Sequence, residues 1–284
     1  MAKRKASRNP RSPAADRGPP GNRTGDRTGD RMADRGALDR YWLYGRHAVL
    51  AALENPRRRG DRLLLTAEAA RRHEAQLKPL LGGARRELVH DTATRDELGA
   101  QLPETAVHQG LAFRVWPLAQ PDWAALEPGP GDGRAVVVAL DQVTDPQNVG
   151  AVLRSAAAFG ALAVITTARH APPESGALAK AASGALETVP YLQVGNLARA
   201  LDRFKAEGFW TLGLAGEADG ALAECDPGPR VVLVLGAEGS GLRRLTRERC
   251  DLLARLPTRP PIDQLNISSA AAVALYELLG RTGP

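Results

Sequence analysis

Three short segments of the chain combine amide, carboxylate or guanidinium side chains with glycine or serine, a combination typical of ligand sites. The first carries Asn148 and Arg154, the second carries Glu238 among three glycines, and the third carries Asn266 just before two serines. Such side chains can orient a hydroxyl group, hold a cation or stabilise negative charge that develops during a reaction. The five histidines are scattered and the two cysteines lack metal-type spacing, so no metal site is predicted.

The first segment follows an apolar run that ends at Asp141. Asp145-Pro146 predicts a turn, and Asn148 is predicted to cap the helix that begins there. Arg154 comes six residues after Asn148, so the two side chains cannot lie on one line of the helix, although both can reach a cleft at its start. An ordinary N-cap followed by a surface arginine is the alternative, and for Asn148 alone that alternative is favoured.

The second segment, residues 235–242, joins a strand to a glycine-rich loop whose amide groups can face a ligand. Its glycines follow the order G-x-x-G-x-G, which differs from the G-x-G-x-x-G of dinucleotide-binding proteins. Glu238 would repel a pyrophosphate but suits a hydroxyl, an amine or a sulfonium. The alternative is a tight turn with a solvated glutamate.

The third segment runs from Leu256-Pro257 to a helix that Asn266 is predicted to cap. Ser268 and Ser269 fall in the first turn of this helix, and the small residues 268–272 allow another backbone to pack closely against it. A buried, alanine-rich helix explains part of this segment.

The elements that would position these segments alternate between strand and helix. Apolar runs and helical periodicity predict strands at 135–140, 162–166, 209–214 and 231–235, and helices at 148–159, 176–183, 196–207 and 267–279. This alternation predicts the α/β class with a mostly parallel sheet. Ligands of such sheets bind beyond the carboxyl ends of the strands, which directs attention to the segments after residues 140, 214 and 235.

Upstream, residues 41–120 predict a smaller α/β unit. Its helices are predicted at 45–55, 68–81 and 94–100, and its strands at 62–66, 87–90 and 110–116. Residues 121–134 contain three glycines and three prolines and predict a linker. Residues 1–40 lack any apolar period and are predicted to form a disordered tail.

The formal net charge of +6, from 38 basic and 32 acidic residues, arises entirely in that tail, since residues 1–40 contain 11 basic and 5 acidic residues. A basic tail can bind the phosphates of a nucleic acid, or simply keep the chain in solution. In the rest of the chain the candidate phosphate contacts are Arg57–Arg59, Arg71–Arg72 and Arg85–Arg86.

The compartment follows from what the sequence lacks. No run approaches the ~18 apolar residues of a membrane span, and no apolar stretch follows the basic N-terminus as a secretory signal would require. Two cysteines are too few for a disulfide scaffold. We therefore expect a cytoplasmic protein without membrane contact.

In their order and spacing, the three segments resemble the motifs of the SpoU (TrmH-like) RNA ribose 2′-O-methyltransferases, in the SPOUT class. The matching residues are Asn148-x-Gly150-x-x-x-Arg154, residues 235–242 around Glu238, and Leu256-Pro257 with Asn266-Ile-Ser268. Residues 45–49 and 107–110 resemble the substrate-binding domain of the branch that methylates a guanosine ribose in 23S rRNA. The resemblance covers about residues 44–280.

This resemblance implies a fold, a methyl donor and an assembly. It implies a C-terminal methyltransferase domain at 135–284 with a deep trefoil knot, a small RNA-binding domain at 41–120, S-adenosylmethionine as donor, RNA as partner and a homodimer. It also implies which residues line the adenosine pocket, namely Leu214, Gly236, Leu256 and Leu265.

By the same resemblance, Arg154 activates the ribose hydroxyl, while Asn148, Glu238 and Asn266 orient Arg154 and the ribose. Because arginine is effectively always protonated, we expect Arg154 to stabilise developing negative charge rather than to accept a proton.

Two residues depart from the family pattern, and two alternative functions stay open. Gln264 stands where members often have serine, which puts any serine-hydroxyl role in doubt, and Pro260 stands where glycine is usual, so the loop 257–263 should be stiffer. The alternatives are the same chemistry on tRNA, and a non-catalytic RNA-binding or ribosome-assembly factor that retains the fold.

Overall fold

The computed structural model of this chain describes residues 40–126, 133–262 and 264–281. Of the segments predicted from sequence, the tail before Arg40 and residues 127–132 of the linker lie outside the described residues. The described part forms a four-stranded and a six-stranded sheet.

The smaller sheet is built from residues 41–115 in the strand order β1-β4-β2-β3. Strand β4 runs antiparallel to both β1 and β2, and β3 is parallel to β2. The strands are β1 (Tyr41–Tyr44), β2 (Gly60–Leu65), β3 (Val89–Thr92) and β4 (Leu111–Val115).

Four helices accompany this sheet, namely α1 (Arg46–Glu54), α2 (Ala67–Arg72), α3 (Glu74–Gly82) and α4 (Arg95–Gly99). The single helix predicted over 68–81 is divided at His73, which ends α2 and begins α3. Thr66 and Thr94 cap α2 and α4 by accepting backbone hydrogen bonds, as their short hydroxyl side chains favour.

The larger sheet confirms the predicted parallel arrangement, since its six strands are all parallel, in the order β10-β8-β9-β5-β6-β7. The valine- and leucine-rich runs of β5 and β9 are buried, as expected for central parallel strands covered on both faces. The strands are β5 (Ala135–Asp141), β6 (Ala163–Thr167), β7 (Tyr191–Val194), β8 (Trp210–Leu214), β9 (Arg230–Gly236) and β10 (Leu252–Ala254).

Helices cover both faces of this sheet. They are α5 (Pro146–Phe159), α6 (Gly176–Ala182), α7 (Leu197–Ala206), α8 (Arg244–Glu248) and α9 (Ile267–Leu275), which continues into a π-helical turn at Tyr276–Gly280. Helix α5 packs against α6 and α9. On the other face, Phe204 of α7 contacts Trp123 of the predicted linker, with ring centroids 5.0 Å apart.

The two sheets share one hydrophobic core. Buried residues of the smaller sheet, such as Leu43 and Phe113, belong to the same cluster as Val138 and Leu153 of the larger unit. Helix α6 lies against β1, and a Cβ at Gly176 would lie 2.3 Å from the carbonyl oxygen of Trp42, so only glycine allows this approach.

A buried ion network also joins the two units. The Arg58 side chain is fully buried; it donates to Glu187 Oε1 at 2.6 Å and also pairs with Glu174. Asn55 Nδ2 donates to the second oxygen of Glu187 at 2.7 Å. Although burial alone would lower it, these hydrogen bonds and charges raise the pKa of Arg58 above its ordinary value.

This network corrects part of the predicted phosphate-binding set. Arg58 cannot reach a phosphate because its guanidinium is enclosed by carboxylates. Arg85 is also structural, since its guanidinium donates to the carbonyl oxygens of Ala52, Leu53, Asn55 and Arg58 at the end of α1.

Among the described residues, no helix is long and apolar enough to cross a membrane.

Candidate active site

The site lies at the carboxyl edge of the larger sheet. Strands β8, β9 and β5 are neighbours, and Asp141 at the end of β5 is in register with Gly236 at the end of β9. Because parallel strands bring their carboxyl ends to one edge, the segments that follow residues 140, 214 and 235 meet there.

Asn148, Glu238 and Asn266 are in direct contact, although they come from three separate segments. Asn148 Nδ2 donates to Glu238 Oε1 at 3.0 Å, and Asn266 Nδ2 donates to the same oxygen at 2.5 Å. Asn266 Nδ2 also lies 3.0 Å from Asn148 Oδ1. We call these three residues the polar triad.

Two members of the polar triad, Asn148 and Asn266, lie at the N-terminal ends of helices, but only one of them is the helix cap. Asn266 caps α9, as predicted, by accepting hydrogen bonds from the backbone N–H and the hydroxyl of Ser268 at 2.8 and 2.6 Å. The prediction that Asn148 caps α5 is wrong. Asp145 is the cap, accepting from Gln147 N at 2.9 Å, and Pro146 begins the helix. Asn148 therefore lies inside the first turn, with its amide free to meet Glu238.

The glycine loop that carries Glu238 is folded back on itself. Gly241 N donates to the carbonyl of Ala237 at 2.9 Å, and a Cβ at Gly236 would lie 2.0 Å from the carbonyl carbon of Gly241. A side chain at position 236 would therefore push the two arms of the loop apart.

The end of the loop is held by a buried carboxylate that sequence reasoning passed over. Asp141 is fully buried and accepts from the backbone N–H of Arg243 at 3.1 Å and from its Nε at 2.7 Å. Arg243 Nη2 lies 2.6 Å from the same carboxylate. The signal available in the sequence was an acidic residue directly after the wholly apolar run of β5, where an unpaired charge would be costly.

A cavity of about 420 Å³ opens beside the polar triad. The structure brings together in its lining all four residues proposed to hold the donor, Leu214, Gly236, Leu256 and Leu265. Glu238 and Gln264 also line it. Leucine side chains and loop backbone suit a flat heteroaromatic ring, and the carboxylate of Glu238 suits a positively charged group.

Arg154 lies apart from this cavity. It is exposed on α5 in an open groove that it shares with Ser268 and Ser269 of α9 and with Phe159. Six residues of helix rise separate it from Asn148 by about 9 Å along the axis. Among the described residues no hydrogen bond or ion pair joins its guanidinium to the polar triad, so the link between them is Ser268, which contacts Asn266 and lines the groove.

Cys250 is excluded as a nucleophile near this site. Burial raises the pKa of its thiol to about 12, so the thiolate is scarce at neutral pH.

Comparison with known proteins agrees with the motifs and the fold. The SpoU rRNA methylase family model matches residues 135–276, half of the 284-residue chain, and a model for RNA 2′-O ribose methyltransferase substrate binding matches residues 42–121. The expected family resemblance is confirmed.

Similar proteins cover nearly the whole of this chain. The 23S rRNA (guanosine-2′-O-)-methyltransferases RlmB of Pseudomonas aeruginosa and Salmonella typhi are 39% and 40% identical to it, covering 85% and 83% of this chain and 97% and 96% of their own. The SpoU methyltransferase AviRb from Streptomyces viridochromogenes, solved in complex with AdoMet, has a similar fold, with a TM-score of 0.73 and 22% identity over 91% of this chain and 94% of its own. With a family model across half its length and relatives matched over more than four fifths of it, this chain belongs to the SpoU rRNA methylase family.

Proposed function

We propose that this protein transfers a methyl group from S-adenosylmethionine to the ribose 2′-oxygen of a guanosine in 23S rRNA. The relatives named above carry that activity in their names, and they align with 85% and 83% of this chain and with 97% and 96% of their own length. The single observation that carries the proposal is the contact of Asn148, Glu238 and Asn266 beside a cavity that leucine side chains and polar groups line together.

The residues of the cavity fit the donor. Leu214, Leu256 and Leu265 offer apolar walls for the adenine ring, and the loop backbone at Gly236 offers polar atoms at its edge. The Glu238 carboxylate, which lines the cavity, would suit the donor's positively charged sulfur. S-adenosylmethionine supplies a methyl group activated by its positively charged sulfur.

The polar triad and Arg154 would orient the ribose and stabilise the charge that develops on its 2′-oxygen. Glu238 is fixed by two amide donors, so its carboxylate is oriented before substrate arrives. The positively charged Arg154 guanidinium would stabilise negative charge on the ribose oxygen as the hydroxyl proton passes to water and the methyl group passes from the donor sulfur to that oxygen. Its exposed position on α5 supports a role at the RNA side of the site rather than in the donor cavity.

We assign RNA binding to residues 41–120 and methyl transfer to residues 135–284, in the cytoplasm where rRNA is modified. A homodimer follows from the resemblance and is supported by two exposed apolar side chains beside the Arg154 groove, Val273 and Tyr276, which are 47% and 54% exposed. The trefoil knot follows from the resemblance alone and stays a prediction.

The test is methyl transfer from labelled S-adenosylmethionine to unmodified 23S rRNA, with the product nucleotide mapped. The parent should modify the 2′-oxygen of one guanosine. Arg154→Ala should lower the rate by about 100-fold or more, the usual effect of removing one group that stabilises transition-state charge. Donor affinity by calorimetry should change little, and Arg199→Ala, which alters an exposed arginine on α7, is the matched control.

The outcomes separate the three candidate functions. Transfer to tRNA but not to 23S rRNA would move the same chemistry to another substrate. Failure of the parent to bind the donor would leave the non-catalytic RNA-binding function. Full activity of Arg154→Lys would remove the specific role of the guanidinium.

A further inference from the structure

The outer face of the smaller sheet presents arginine and tryptophan side chains in alternation. On β1, Trp42 lies opposite Arg114 of β4. Arg40, directly before β1, lies over the ring of Trp116, directly after β4. The Arg114 guanidinium lies 5.6 Å from the Trp42 ring centroid, and Arg40 lies 5.5 Å from that of Trp116. Together with Arg59 and Arg62, we call these residues the Arg–Trp face.

The alternation along each strand explains why these side chains share one face. Leu43, Phe113 and Val115 point into the shared core, so their neighbours Trp42 and Arg114 point the other way. Arg62 of β2 is in register with Arg114 and extends the row. The opposite side of the sheet is closed by the shared core. On the Arg–Trp side, Leu98 of α4 covers Leu64 and Ala112 and packs near Trp42, so the part open to a partner is the end that carries Arg40 and Arg62.

The charge of the Arg–Trp face favours a polyanion. Its four guanidiniums are accompanied by two carboxylates, Asp61, which pairs with Arg40 and Arg114, and Asp91, which pairs with Arg62. Arg59 lies 5.2 Å from the Trp116 ring and has no carboxylate partner among the described residues. The side chains of Arg40 and Arg62 are 43% and 45% exposed, so both can reach a ligand.

The segment that precedes Arg40 in the sequence carries a net positive charge. Residues 1–39 contain ten lysines and arginines and five aspartates, and they join the described structure at Arg40, within the face itself.

Planar cations held on indole rings fit RNA in particular. Arginine planes and aromatic rings stack on unpaired bases, while the outer N–H groups of a guanidinium donate to phosphate. We propose that the Arg–Trp face is the surface on which the RNA substrate docks, with Arg59 and Arg62 contacting phosphate. This inference rests on the proposed function for the identity of the RNA.

The test compares two charge-matched variants of the full chain. In Arg59→Glu/Arg62→Glu the face is altered, and in Lys78→Glu/Arg199→Glu two exposed basic residues of α3 and α7, neither of them a candidate phosphate contact, are altered. Binding to a 23S rRNA transcript is measured at several salt concentrations. The first variant should bind about tenfold or more weaker with a shallower salt dependence, because phosphate contacts release counterions, and the control should stay within about twofold.

Donor affinity and the thermal midpoint report on folding. If Arg59→Glu/Arg62→Glu lowers the donor affinity or the thermal midpoint, the milder variant Arg59→Ala/Arg62→Ala is used in its place. Its affinity for the RNA should fall by about threefold or more. Parental affinity of the face variant, or an equal loss in the control, would overturn the proposal and leave the face to a protein partner. Binding is measured apart from catalysis, so a parent that binds rRNA but does not methylate it would contradict the proposed function without deciding against the face.

Discussion

Glu238 accepts hydrogen bonds from two asparagines that lie 90 residues before it and 28 residues after it in the chain. A carboxylate with fixed donors keeps its orientation, which is the property that an active site needs. The loop that carries it is fixed in turn by Asp141, whose buried carboxylate accepts three hydrogen bonds or charge contacts from Arg243. The geometry of the site therefore depends on a residue that does not line the cavity.

Asp141→Asn should weaken both the fold and the donor site. Arg243 would lose its charged partner but remain partly solvated, so we expect a loss of about 1–3 kcal/mol in the free energy of unfolding, measured with urea. Donor affinity should fall with it, because the glycine loop loses its anchor.

The matched control for that substitution is Asp226→Asn, since Asp226 pairs with Arg134 but is 85% exposed. Its free energy of unfolding should change by less than about 1 kcal/mol. Equal effects of the two substitutions would mean that Asp141 does not hold the loop.

Local sequence rules predicted some of these residues well and others badly. Asn266 was predicted as a cap because capping depends only on the few residues after it. Arg58 and Arg85 were predicted as candidate phosphate contacts, since nothing near them in the sequence indicates Glu187 or the carbonyl groups at the end of α1. Burial of a charge is decided by partners that are distant in the chain.

At the scale of elements, α5 reaches the site because it packs closely on α6. A Cβ at Gly150 would lie 2.4 Å from the Cβ of Ala181 and 2.8 Å from its carbonyl carbon. The small residues of the first motif therefore have a packing role in addition to any role in binding.

Gly150→Ala should destabilise the protein by about 1–3 kcal/mol, since extra volume in a packed core forces the backbone to shift. Gly82→Ala, at the end of α3, is the control, because a Cβ there meets no atom within 4 Å. Chemical denaturation of both variants measures the difference. A neutral effect at position 150 would mean that the two helices separate without cost.

The elements that were predicted are those with a long, uniform pattern. The apolar runs of β5 and β9 and the periodic helices α5 and α7 were located nearly to their ends. Three strands of three or four residues, β1, β7 and β10, were missed, while β3, also of four residues, was predicted two residues before its position, because so short a run gives at best a weak period. The order of strands in the sheet was also beyond the sequence, because it is set by long-range pairing.

At the scale of the whole molecule, the two sheets are joined by the shared core and by the network of Arg58, Glu174 and Glu187. Burial and the nearby Glu174 carboxylate raise the pKa of Tyr41, whose hydroxyl donates to Glu174 at 2.6 Å. The network therefore links Tyr41 of β1 and Arg58, in the loop after α1, to Glu174 and Glu187 of the larger unit.

Glu187→Gln should cost about 3 kcal/mol or more in unfolding free energy, because it removes one partner of a buried charge. The control is Glu248→Gln, which removes an exposed pair with Arg244 and should change the free energy of unfolding by no more than about 0.5 kcal/mol. The two sheets should still unfold in a single transition in the parent, followed by circular dichroism and by tryptophan emission. Separate transitions in the parent would contradict a shared core.

The shared core bears on which nucleotide the protein modifies, because it fixes a distance. If RNA rests on the Arg–Trp face, the core shared by the two sheets fixes the distance from that face to the donor cavity within the part of the chain that the structure describes. The nucleotide that receives the methyl group is then the one that the shape of the RNA places at the donor cavity, at that fixed distance from the Arg–Trp face.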